Sequence, residues 1–88
     1  MRRVYLKILT DDQEHITAYG TFRRAKDALR EDMEQLLNNE QLAFSEEEKR
    51  KYRDIFKRTS SYSIPYVPRY NDDCDYVQYG EIIAEEIL

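Results

Sequence analysis

A single cysteine, Cys74, and a single histidine, His15, would have to supply any thiol nucleophile and imidazole base in this 88-residue chain. Nothing in their positions brings them together. Cys74 stands among Asp72, Asp73 and Asp75, whose negative charge disfavours the thiolate, the reactive form of the side chain. His15 falls in a stretch of alternating polarity and reads as a surface or edge residue. The three aspartates could gather a hard cation, but the glycine and distal glutamate of a calcium loop are missing. A solvated acidic turn is the expectation there. There is no glycine-rich phosphate loop, no paired-cysteine metal spacing and no serine elbow. The chain therefore reads as non-enzymatic, with no cofactor and no metal.

Charge order says more. Residues 1–30 carry a net charge of +3, residues 31–48 of −7, residues 49–70 of +6 and residues 71–88 of −6, which together give the overall −4. A mild total thus hides strong blocks. Two outcomes are open: the blocks neutralise one another across the fold, or they divide its surface into acidic and basic lobes. In the second case Glu31, Asp32, Glu34, Glu40, Glu46 and Glu47 form an acidic ridge. Such a ridge suits a basic groove on a protein partner, its carboxylates standing where phosphates would stand. The alternative is direct nucleic-acid binding through Arg23, Arg24, Lys26 and Arg30, or through Lys49, Arg50, Arg53, Lys57 and Arg58, with Tyr62, Tyr66 and Tyr70 as stacking surfaces. The negative total weighs against it, because backbone binding depends on neutralising phosphates.

The elements that must position these groups are legible from local pattern. In Arg3–Leu9, Val4, Leu6 and Ile8 share one face and Tyr5 and Lys7 the other, as in a half-buried strand. Turn residues Thr10–Gln13 lead into Glu14–Tyr19, which completes a β-hairpin. Thr21 caps a helix ending at Leu37, with Phe22, Ala25, Leu29, Met33, Leu36 and Leu37 on one stripe. Its basic residues come first and its acidic residues last, opposing the helix macrodipole. Asn38 and Asn39 close it, asparagine being tolerant of the left-handed conformation. Ser45 and Glu48 form a capping box for a second helix, Glu46–Arg58, whose charges run in the favourable order and whose Tyr52, Ile55 and Phe56 share a face. Ser61–Val67, which contains Pro65, suits an edge strand. Tyr76–Ala84 reads as a strand, with Ile82 and Ala84 joining the face of Val77 and Tyr79 only if Gly80 hosts a bulge. Residues 81–88 fit either a strand or a helical stripe. Residues 1–88 therefore make a single α+β domain: an antiparallel sheet of three or four strands, built from the N-terminal hairpin and a C-terminal strand, packed against two antiparallel helices.

No apolar run reaches the roughly 18 residues of a membrane span, and the start of the chain lacks the pattern of a signal peptide. With one cysteine and so no internal disulfide, a cytoplasmic location is expected. In size, charge and its eight tyrosines the chain resembles, in general character, the short acidic proteins of bacteria, phages and mobile elements that inhibit host proteins, anti-CRISPR proteins among them. That resemblance covers no particular stretch and implies no site residues. The expected function is a non-enzymatic protein-interaction module, such as an inhibitor of a nucleic-acid-handling protein. A nucleic-acid-binding accessory protein and a homo-oligomeric structural subunit, pairing through Ser61–Val67 or the C-terminal segment, are the alternatives.

Overall fold

Four antiparallel strands and two helices build the computed structural model, which describes residues 2–67 and 76–87. Strands β1 (Arg2–Thr10) and β2 (Glu14–Tyr19) form the hairpin. In its loop the Asp11 carboxylate accepts from the Gln13 backbone N–H at 3.0 Å, an Asx turn. That bond holds the Asp11 carboxyl below its ordinary pKa. Helices α1 (Phe22–Leu37) and α2 (Glu46–Thr59) follow, then β3 (Tyr62–Tyr66) and β4 (Tyr76–Ile87). The sheet order is β2-β1-β4-β3, so β3 lies at an edge, where its Pro65 removes no central ladder bond.

Local capping sets the helix ends. The Thr21 hydroxyl accepts from the Arg24 N–H at the start of α1, and Ser45 and Glu48 form a reciprocal capping box at the start of α2. Two details differ from expectation. Asn38 ends α1 at φ −94 rather than in the left-handed region, with its N–H bonded back to the Glu34 carbonyl and the Asn39 N–H to the Leu36 carbonyl. Among the described residues, the left-handed ones outside glycine are Ala43 in the helix connection and Ser60 after α2, whose N–H reaches the Phe56 carbonyl at 2.8 Å.

The C-terminal segment is strand through Ile87, not helix. Its pairing with β1 runs unbroken from Thr10 opposite Tyr79 to Arg2 opposite Ile87, and its pairing with β3 from Tyr62 opposite Gly80 to Tyr66 opposite Tyr76. Gly80 therefore hosts no bulge, and Ile82 and Ala84 lie on the face opposite Val77 and Tyr79. Gly80 has a different use. A Cβ at this position would stand 2.6 Å from both Leu29 Cδ1 and Tyr62 Cε1. The missing side chain is what lets α1 and the Tyr62 ring settle on β4.

The core lies between the helices and one face of the sheet. It consists of Leu29, Met33, Leu36 and Leu37 from α1, Phe56 from α2, and Tyr62 and Ile64 from β3, with Leu9 and Ile82 packed against it. Ala25 is also fully buried, whereas Phe22 is 43% exposed and meets Tyr5 edge-on at 5.9 Å. A half-buried strand ordinarily turns its apolar face inward. In β1 the helices instead cover the face of Tyr5, Lys7 and Leu9. Lys7 reaches the Asp32 carboxylate of α1 at 2.6 Å, and both side chains are mostly buried. The face of Val4, Leu6 and Ile8 points away from the helices.

The two helices run antiparallel. Lys26 near the start of α1 donates to the Lys57 carbonyl near the end of α2, while Glu34 further along α1 pairs with Arg53. Among the described residues, no helix is long and apolar enough to cross a membrane.

Candidate functional site

Antiparallel packing decides what becomes of the charge blocks. The basic first turns of α1 lie beside the basic last turns of α2, and the acidic end of α1 lies at the end of the pair where α2 opens with Glu46, Glu47 and Glu48. One end of the helix pair is therefore mainly basic, while at the other the carboxylates of α1 and of the first turn of α2 meet Lys49, Arg50, Lys51 and Arg53. Two members of the expected acidic ridge are turned to structural use. Asp32 is taken by Lys7, and Glu34 is gripped by Arg53, whose Nε and Nη2 donate to its two oxygens at 2.7–3.1 Å. Glu46 pairs with Lys49 at 3.4 Å while remaining open to solvent. Glu31, Glu40 and Glu47 are exposed without an ion-pair partner among the described residues.

The Arg53 guanidinium holds the Glu34 carboxyl below its ordinary value of 4.5, and the carboxylate in turn raises the Arg53 value. A depressed folded-state pKa contributes stability above the unfolded value and loses it as pH falls through the folded one. Glu34→Gln is therefore expected to destabilise by about 1 kcal/mol or less at pH 7, the pair being partly exposed. The gap between variant and wild type should close as pH drops below about 4.5. Urea titrations at several pH values would check this, and a gap that persists unchanged in acid would count against the pair.

The basic candidates fare unevenly. Arg23 and Arg24 are exposed on the first turn of α1. Lys26 is half-buried, with its Nζ 5.8 Å from the Phe56 ring centroid, and the Arg30 guanidinium stands at 5.7 Å from the same ring. Tyr62 is not available for stacking. It is buried, its hydroxyl donates to Gln78 Oε1 at 2.7 Å, and burial with the nearby Asp32 and Asp11 charges pushes its pKa well up. Tyr66 is half-buried and stacks on Tyr76 at 5.7 Å. Tyr70 lies outside the described residues, as do Cys74 and the three aspartates around it. His15 is exposed on β2, opposite Leu9. Among the described residues, no group of three His, Cys, Asp or Glu is placed to hold a metal ion.

The surface that sequence reasoning missed is the open face of the sheet. Cross-strand register assembles it in rows: Ile16 beside Ile8 beside Glu81, Ala18 beside Leu6 beside Ile83, and Val4 beside Glu85. Tyr79 and Ile87 lie on the same face, and Ile16, Tyr79, Ile83 and Ile87 are 54%, 51%, 39% and 47% exposed. Comparison with protein-family models, curated protein sequences and solved structures gives no match. The open face must therefore be read from its own chemistry. Its signal was present in the alternation of Val4, Leu6 and Ile8. What was missing was the β4 register that commits Gly80 and Ile82 to the helices and leaves Ile83 outside.

Proposed function

We propose that this chain is a non-enzymatic protein-interaction module that binds its partner through the open face of the sheet. The observation that carries this reading is the apolar cluster of Ile8, Ile16, Leu6 and Ile83 on a face that no other element of the described chain covers. Contiguous apolar patches on a small protein commonly mark where another macromolecule sits. The exposed carboxylates of Glu31, Glu40 and Glu47, with an overall charge of −4, favour a partner with a basic surface, such as a protein that handles nucleic acid.

The reading is tested by comparing wild type with an Ile16→Lys/Ile83→Lys variant in affinity capture after nuclease digestion, with circular dichroism to establish that the variant is folded. Both positions are exposed, so the substitutions leave the core untouched. The expected result is a protein partner retained through nuclease treatment and depleted at least tenfold by the double substitution. An identical capture profile would overturn the assignment of the open face.

Direct nucleic-acid binding is the second reading, favoured by the way antiparallel packing sets Arg23, Arg24 and Lys26 at the same end of the helix pair as Lys57 and Arg58. It predicts a gel shift at low salt that weakens steeply as salt rises and is abolished by Arg23→Glu/Arg24→Glu. Absence of a shift at low salt removes it.

A further inference from the structure

We infer that the open face receives an amphipathic helix whose apolar stripe is bordered by Lys or Arg, lying along β1 as a third layer of the fold. This rests on the protein-binding reading above and names the chemistry of the partner.

Dimensions point to a helix. From Val4 to Ile8 the face advances four strand steps, about 13 Å, and β2, β1 and β4 span about 10 Å between their outer axes. A helix is about 10 Å across and rises about 1.5 Å per residue, so two to three turns cover the cluster. The fold already shows the same solution on its other side, where α1 lies over β1 and β4 with Leu29 seated on Gly80. Sheets with an apolar second face are ordinarily completed by another packed layer.

Carboxylates outnumber the cation Arg2, which stands opposite Ile87 on the same face, and they select the flank of that helix. Glu81 and Glu85 stand on either side of Ile83 along β4, beside Ile8 and Val4 respectively. Glu14 marks the far corner on β2, opposite Thr10. All three are exposed, and none has an ion-pair partner among the described residues. Glu81 and Glu85 are separated by about 13 Å of strand. Basic residues seven apart on a helix lie on nearly the same side and are separated by about 10 Å, so one flank of the incoming helix can reach both carboxylates with long side chains while its stripe meets Leu6, Ile8, Ile16 and Ile83.

A second copy of this chain fits less well, because face-to-face packing would bring Glu81 and Glu85 of both copies into one interface, where like charges repel.

The test titrates the isotope-labelled chain with two helical peptides of about 15 residues, one with a leucine stripe flanked by lysines and the other with the same stripe flanked by glutamates. The lysine peptide is expected to bind at least tenfold more tightly and to shift the amides of Leu6, Ile8, Ile16 and Ile83. Glu81→Lys/Glu85→Lys should reverse the preference, and Asp54→Lys, on the exposed side of α2, should leave it in place. Equal affinity for the two peptides, shifts confined to α2, or no binding of either would overturn the inference. So would a dimer in sedimentation that Ile83→Lys dissolves, because the face would then belong to a second copy. The broader protein-binding reading fails separately, through unchanged partner capture by Ile16→Lys/Ile83→Lys.

Discussion

Gly80→Ala is expected to destabilise the fold by about 1–3 kcal/mol, the range for forcing extra volume into a packed core. The added methyl would lie 2.6 Å from Leu29 Cδ1 and from Tyr62 Cε1, and 2.9 Å from Tyr62 Cζ, well inside the contact distance of two carbons. Neither neighbour can step aside cheaply. Leu29 is 0% and Tyr62 5% exposed, and the Tyr62 hydroxyl is anchored on Gln78. Intrinsic strand preference runs the other way, since glycine weakens a strand interior, so a loss of stability would isolate the packing effect. A double-mutant cycle sharpens the point. Leu29→Ala alone should cost about 2–5 kcal/mol through its cavity, but it also removes the Cδ1 atom that the methyl added by Gly80→Ala would meet. The two changes together should therefore cost less than their sum, by about 1 kcal/mol or more. Urea unfolding of the four proteins measures the cycle. Strict additivity would show that α1 is not seated through this contact.

The same contact explains how far the fold could be read without coordinates. Both helices were legible almost to the residue, because their determinants are local: Thr21 and Ser45 with Glu48 at the starts, and the stripe from Ala25 to Leu37. The hairpin and the edge position of the Pro65 strand were legible for the same reason. Which face of the sheet the helices cover was not. Alternation in β1 separates Val4, Leu6 and Ile8 from Tyr5, Lys7 and Leu9 but does not say which set is buried. That choice is made by partners distant in sequence: Lys7 with Asp32, Tyr5 with Phe22, and Gly80 beneath Leu29. A charged residue on the covered face is tolerated here because a carboxylate from α1 meets it. The consequence reaches the candidate site. An apolar set that reads as core from its spacing becomes surface, and the acidic ridge surrenders Asp32 and Glu34 to internal pairs. The charge blocks themselves were plain, and the helix orientation is what brings the acidic 31–48 block against the basic 49–70 block at Glu34 and Arg53.

That dependence on a few distant contacts is greatest for α2. Its one fully buried side chain is Phe56, 1% exposed, while Tyr52 and Ile55 are only half-covered. Phe56 fills the space below the helix pair, with the Tyr62 ring at 6.2 Å and the cationic groups of Lys26 and Arg30 within 6 Å of its centroid. Phe56→Ala is accordingly expected to cost about 3–5 kcal/mol, the upper range for core truncations. Small domains are commonly stable by about 5–15 kcal/mol, so the change would remove a large share of the total. Phe56→Leu keeps most of the volume and discards the ring's attraction for Lys26 and Arg30, so it should cost about 1–2 kcal/mol. The structural outcome should be local. With Phe56 gone, the half-covered Tyr52, the Glu34–Arg53 pair and the Lys26 contact to the Lys57 carbonyl still hold α2, and partly exposed ion pairs contribute little. Amide exchange in α2 is then expected to quicken well beyond that in β1 and β4, as a helix undocked from a folded sheet would show. Uniform acceleration across the chain would mean instead that α2 and the sheet unfold as one cooperative unit, and a loss below about 1 kcal/mol would show that Phe56 is not what holds the second helix in place.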